Sequence, residues 1–146
     1  MLKLSTKGRY GVRLMLDLAL NFNKGPVPLH DVSKRQGISE KYLWQLINPL
    51  KNAGLVTSTR GARGGYCLAK PARQINLKDI MEVLEGSMCL VDCTINASMC
   101  KRSSMCVLRD VWKDVTDKIL KVLESCSLEQ MVDKQQSKSK TITYSI

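Results

Sequence analysis

A chain of 146 residues suffices for one domain with a modest core and a helical appendage. No apolar run nears the roughly 20 residues of a membrane span, and Met1-Leu2-Lys3-Leu4-Ser5 lacks the charged-then-apolar build of a signal peptide, so no membrane partner is expected and the predicted location is cytoplasmic. The net charge of +10 lies wholly in residues 1–80, with 14 Lys and Arg against 4 Asp and Glu, which points a basic head at an acidic polymer, nucleic acid first.

Thr6 is placed to cap a helix over about 7–22, made apolar by Tyr10, Leu14, Leu16, Leu18, Ala19 and Leu20. Asn23-Lys24-Gly25-Pro26 ends it. Pro28 opens a short helix through about Gln36, with Leu29 and Val32 inward, and Gly37 makes a turn. Ser39 caps a third helix, with Glu40 in its first turn where the helix dipole favours a carboxylate. Tyr42, Leu43, Leu46, Ile47 and Leu50 follow helical spacing, and Gly54 stops it. Helix, Gly turn and capped helix form a helix-turn-helix pattern, weak by itself. Residues 55–59 and 66–69 then read as two short strands around Arg60-Gly61-Ala62-Arg63-Gly64-Gly65, the pattern of a wing. A glycine-rich phosphate cradle should open a helix, and this one opens a strand, so nucleotide binding is discounted. Asn76 caps a helix over about 77–85 that Gly86 ends, with Ile80, Val83 and Leu84 inward.

Four of the six cysteines then fall in the 18 residues from Cys89 to Cys106, with neither helical nor strand periodicity. In a reducing compartment, thiols so crowded favour metal or redox chemistry over disulfides. The stretch reads as a metal-binding loop, for an iron–sulfur cluster above all, with zinc or unliganded thiols as the alternatives. Leu108, Trp112, Val115, Ile119 and Val122 follow at intervals of 4, 3, 4 and 3, a seam on a helix over about 104–125. At 1.5 Å per residue such a helix is roughly 33 Å long, too long for the small head to cover, so a homodimer is predicted. The expected fold is mainly α with a small β-hairpin wing. A winged helix-turn-helix domain spans 1–86, a cysteine loop 87–106, a dimerisation helix with a short following helix 104–132, and a disordered Lys, Gln and Ser-rich tail 133–146. No acid, base or nucleophile constellation points to an enzyme.

The opening L-S-T-K-G-R-Y-G-V-R-L-M-L-D-L-A, the segment I-S-E-K-Y-L-W-Q-L-I-N-P-L-K-N-A-G-L-V, the wing S-T-R-G-A-R-G-G-Y and the cysteines 93, 100 and 106 together resemble the Rrf-type (Rrf two) bacterial transcription regulators, over about residues 1–132. The resemblance implies a winged-helix homodimer on partly palindromic double-stranded promoter DNA, most often a repressor. It further implies occupancy set by an iron–sulfur cluster, [2Fe–2S] first and [4Fe–4S] second, on Cys93, Cys100 and Cys106. The signal would be cluster supply, iron, nitric oxide or redox state. The resemblance places major-groove readers on Ser39, Lys41, Tyr42 and Gln45 and a minor-groove arginine on Arg60. These roles make chemical sense: a glutamine can pair with adenine through two hydrogen bonds, and an arginine suits the negative potential of a narrow minor groove. Tyr42 is equally suited to core packing. Lys34, Arg35, Lys51 and Arg63 are expected at phosphates or in plain solvent.

The departures from the family pattern fall on the ligands. A histidine that completes the cluster site in some members corresponds to Arg109, and an aspartate that does so in others corresponds to Arg9. The fourth ligand is therefore open, with Cys89 first, then Asp92, a loop serine, a group from the other subunit or a small thiol. Cys67 is expected in the core and Cys126 away from the site. His30, the single histidine, is expected at the surface. A glutamate that tunes DNA specificity in the family is Trp44 here. The family also holds a cluster-free regulator of cysteine metabolism that acts through a partner enzyme and lacks the three cysteines. That reading and a zinc-stapled DNA-binding protein are the alternatives.

Overall fold

A computed structural model describes residues 3–145. The first helix, α1 (Thr6–Leu20), begins where Ser5 rather than Thr6 supplies the cap: Ser5 Oγ accepts from Gly8 N at 3.0 Å. It ends at Leu20, two residues earlier than the apolar pattern suggests, because Asn21 Nδ2 turns back onto Asp17 O at 2.8 Å and a 3₁₀ turn follows over Phe22–Lys24. Leu14, Met15 and Leu18 are fully buried along its centre. Gly8 and Gly11 face α4 (Leu77–Glu85) at close range. A β-carbon on Gly11 would collide with the Leu84 side chain, and one on Gly8 would lie 2.9 Å from Met81 Cε and against the Glu85 carboxylate.

Next come α2 (Leu29–Gln36) and α3 (Glu40–Asn52), joined by Gly37 in the left-handed conformation (φ 65°) that favours glycine. Ser39 Oγ accepts from Tyr42 N at 3.2 Å and caps α3 as the sequence predicts. Leu43, Leu46, Ile47 and Leu50 are wholly inaccessible to solvent, so α3 has one inner and one outer face.

The end of α2 is tied to α1 by a buried carboxylate that the residue pattern does not announce. Asp17 is 2% exposed and accepts from Arg35 Nε (3.0 Å), Arg35 Nη2 (2.7 Å) and Gln36 Nε2 (3.0 Å). Arg35, expected at a phosphate or in solvent, is thus engaged in an ion pair. The hydrogen bond to Asp17 raises its pKa above the ordinary value against the opposing effect of burial. Asp17→Ala should destabilise the fold by about 2 kcal/mol, less than for a wholly buried pair because Arg35 can turn to water. The check is a lower urea midpoint at unchanged slope. A midpoint equal to wild type would show that the pair contributes nothing.

The wing is β1 (Val56–Thr59) antiparallel to β2 (Gly65–Leu68), in the register Val56↔Leu68 to Thr59↔Gly65. It is anchored to the linker before α2 by two backbone hydrogen bonds, Val27 N to Tyr66 O (2.9 Å) and Tyr66 N to Val27 O (2.8 Å). Asn76 caps α4 in a reciprocal box with Asp79. Among the described residues no helix is long and apolar enough to cross a membrane.

The long helix α5 (Val107–Ser125) starts three residues later than the sequence suggests, because Ser103–Met105 forms a 3₁₀ turn and Cys106 has extended backbone. It spans about 28 Å at 1.5 Å per residue. Backbone hydrogen bonds from Leu77 N to Cys126 O and from Leu128 N to Ile75 O, both 2.8 Å, fasten its end to the head. The tail differs from the expectation of disorder: α6 runs over Leu128–Ser145. That segment has no Gly or Pro, and Lys, Gln, Glu and Met are good helix formers. Leu128 is fully buried, and Met131 and Val132 pack on the core, so the helix starts from a fixed turn.

Candidate functional site

The outer face of α3 presents Lys41 and Gln45 to solvent, with Ser39 at its start and Lys51 near its end also exposed. Ser39 Oγ is already an acceptor in the cap, which leaves its O–H as the group free to donate. Arg60 and Arg63 are exposed in the wing turn, and neither has a carboxylate partner among the described residues. The structure thus gathers Ser39, Lys41, Gln45 and Lys51 on one helix and the two arginines in one turn. Tyr42 lies beside Lys41 on the same helix. That ring is half-buried and meets Tyr10 edge to face, with centroids 5.8 Å apart at 88°. Lys34 is exposed, and His30 is a surface residue with Nδ1 3.5 Å from Glu40 Oε2.

The cysteine loop begins after Gly86, whose φ of 76° turns the chain out of α4. It proceeds through 3₁₀ turns at Asp92–Thr94, Ala97–Met99 and Ser103–Met105. Cys93 lies in the first turn, Cys100 follows the second, and Cys106 precedes α5. Cys100 is exposed and Cys89, Cys93 and Cys106 are half-buried, all four as free thiols. Cys89 lines two open grooves of about 510 and 370 Å³ that flank the start of the loop, its Sγ 4.0 Å from Asp92 Oδ1. Cys67 lies in β2 opposite Thr57, and Cys126 ends α5.

In kind, this donor set suits an iron–sulfur cluster or zinc: three thiols at spacings of seven and six residues, and a fourth four residues ahead of them. Among the described residues no three His, Cys, Asp or Glu side chains are grouped as around a metal ion.

Two side chains at the ends of the loop make hydrogen bonds that the sequence does not announce. Arg109 donates from Nε to the carbonyl oxygen of Cys93 at 2.8 Å. At the other end Glu85, the last residue of α4, accepts from Ser5 N at 3.1 Å and from Ser5 Oγ. The cap of α1 is therefore held by the residue next to the loop.

Thr116 is the one buried residue of α5. Leu108 (61% exposed), Trp112 (41%) and Val122 (63%) stand in solvent, and Val115 and Ile119 are half-buried. Val111, at 45%, extends the same apolar stripe. In a single protomer this stripe is uncovered.

Comparison with known proteins agrees with this architecture. The family described as Rrf2, iron-dependent transcriptional regulator, matches residues 4–134. The HTH-type transcriptional regulator IscR of Photorhabdus laumondii is 42% identical over 135 residues, which cover 92% of this chain and 82% of that one. The solved structure of T. potens IscR is 46% identical with a TM-score of 0.76, over 92% of this chain and 88% of that one. CymR (YrzC), the global cysteine regulator of B. subtilis, is 40% identical with a TM-score of 0.77, over 92% of this chain and 98% of that one. With its helix-turn-helix, its hairpin wing and a family match over nearly the whole length, the chain belongs to the Rrf2 family of DNA-binding transcriptional regulators and is not an enzyme.

Proposed function

We propose that the protein is a homodimeric transcription repressor whose hold on double-stranded promoter DNA is set by an iron–sulfur cluster on Cys93, Cys100 and Cys106. The observation that carries this reading is the cysteine loop itself, set between the end of α4 and the start of α5 in a chain of an iron-dependent regulator family. Cys89 is the first candidate for a fourth ligand. When bound, a cluster supplies a redox-sensitive cross-link among these thiols. The chain's own residues supply the transmission. Arg109 fixes the backbone at Cys93, and Glu85 fixes the cap of α1. Asp17 then fastens α1 to α2 through Arg35 and Gln36. A loop that changes its order thus acts on the frame that carries α3, without touching DNA. Such a regulator works in the cytoplasm, where the reducing poise keeps the thiols available.

In this reading Gln45 reads a base edge, Arg60 enters the minor groove, and Lys51 and Arg63 meet phosphates, with Ser39 and Lys41 beside them. Gln45→Ala should cost about 1–3 kcal/mol at one base position and relax the preference there. Lys51→Ala should weaken all sequences alike and flatten the salt dependence by about one phosphate. Titration of both variants against a selected duplex and its single-base variants separates the two roles. Equal loss on every sequence for Gln45→Ala would remove it from the base readers.

A second reading is favoured by the likeness to CymR: a cluster-free regulator that acts through a partner protein. A colourless, iron-free protein after anaerobic purification, with wild-type DNA binding, would select it. Zinc in place of iron in that preparation would select a zinc-stapled regulator.

A further inference from the structure

The cysteine loop carries a repeat that a cluster on its thiols does not use. Ser-Met-Cys occurs three times, at Ser87-Met88-Cys89, Ser98-Met99-Cys100 and Ser104-Met105-Cys106. The second and third copies also share their backbone. Each Met ends a 3₁₀ turn, Ala97–Met99 and Ser103–Met105, and each Cys follows in extended conformation, at φ −138° and −91°. Ser103 Oγ donates to Ala97 O at 2.7 Å, so the first residues of the two turns are bound to each other. Met99 is 62% exposed and Met105 90%. Side chains so placed contribute little burial, and what sets them apart from other apolar groups is a soft thioether sulfur on a flexible stem.

Zinc takes thiolate, imidazole and carboxylate, and iron–sulfur clusters take thiolate. Thiolates joined by thioethers suit monovalent copper. We propose that the paired turns form a binding site for monovalent copper, with the thiolates of Cys100 and Cys106 as its principal ligands and the thioethers of Met99 and Met105 beside them. The two thiols give up their protons on binding. Two thiolates around a singly charged cation leave a net negative charge. Lys101 and Arg102, exposed between the turns and without a carboxylate partner among the described residues, lie where they offset it. Cys100 and Cys106 serve either occupant, so copper and a cluster exclude each other on this loop. The thioethers tell the two apart, and the copper site stands without the cluster.

The test uses the full chain, iron-free, reduced and under anaerobic conditions. Monovalent copper is supplied as its acetonitrile complex against a chromogenic copper(I) chelator. Wild type should withdraw the ion from the chelator, and Cys100→Ala with Cys106→Ala should not. Met99→Leu with Met105→Leu conserves volume and apolarity. That pair should weaken copper binding at least about ten-fold, the scale on which even outer-shell partners of a metal act. Its circular dichroism, and its iron and sulfide counts after cluster reconstitution, should equal those of wild type. No withdrawal by wild type would overturn the proposal, as would an unchanged affinity in the methionine pair or uptake that survives loss of both thiols. A methionine pair that loses copper and iron alike would overturn it too, as damage to the loop. A wild type that takes copper as described and never holds iron would sink the cluster reading and leave the copper site standing.

Discussion

Val115→Asp combined with Ile119→Asp should convert the protein from dimer to monomer and weaken its hold on a duplex with two half-sites by about a hundred-fold, the scale on which tethering a second site acts. α5 buries one side chain in its own protomer and leaves an apolar stripe over four turns exposed or half-exposed. Contiguous apolar surface of this kind marks an interface. The spacing of Leu108, Trp112, Val115, Ile119 and Val122 is that of a helix seam and suits a second copy of the same helix. Two carboxylates at the centre of such a seam would be desolvated without partners, at a cost of several kcal/mol. In the free protomer the same two carboxylates reach water, because Val115 and Ile119 are half-exposed there. The variant should therefore keep its helical circular dichroism while light scattering reads half the mass. An unchanged dimer mass would remove α5 as the interface.

What was legible in the sequence is what local chemistry decides. The cap at Ser39, the left-handed Gly37 and the apolar spacing of α3 lie within a few residues of one another and fix that helix by themselves. The wing was legible for the same reason. The Asp17–Arg35 pair was not: its members are 18 residues apart, and an arginine on a basic head reads as a phosphate contact or a solvated charge until the carboxylate beside it is seen. Arg109 is instructive in another way. Its partner is a backbone carbonyl, which leaves no trace in the residue pattern, so the position reads only as a missing ligand. The tail reads as disordered from its polarity, while the segment holds no helix breaker and α6 runs over Leu128–Ser145. For the cysteine loop, the crowded thiols stand out in the sequence, while its short 3₁₀ turns have no apolar periodicity to announce them.

The largest effect should come from those thiols. Cys93→Ala, Cys100→Ala and Cys106→Ala should each abolish the visible absorption of anaerobically purified protein, and the triple variant should hold no iron or sulfide. A cluster bound through three protein thiolates loses an anchor with each substitution, and no histidine lies in the loop to replace it. Cys126→Ala and Cys67→Ala should keep the spectrum, because these residues lie at the end of α5 and within the wing. Cys89→Ala should shift the spectrum and speed cluster loss in air if this thiol completes the site. A spectrum equal to wild type would instead pass the role to Asp92, a loop serine or the partner subunit. The most direct measurement of cluster control is the affinity of one selected duplex for three anaerobic samples: cluster-loaded wild type, wild type stripped by chelator, and the triple variant, with iron and sulfide counted in each. The account predicts at least about a ten-fold difference, or 1.4 kcal/mol, between loaded and stripped protein, with the triple variant matching the stripped form. Equal affinity in all three, with iron present only in the first, would contradict it.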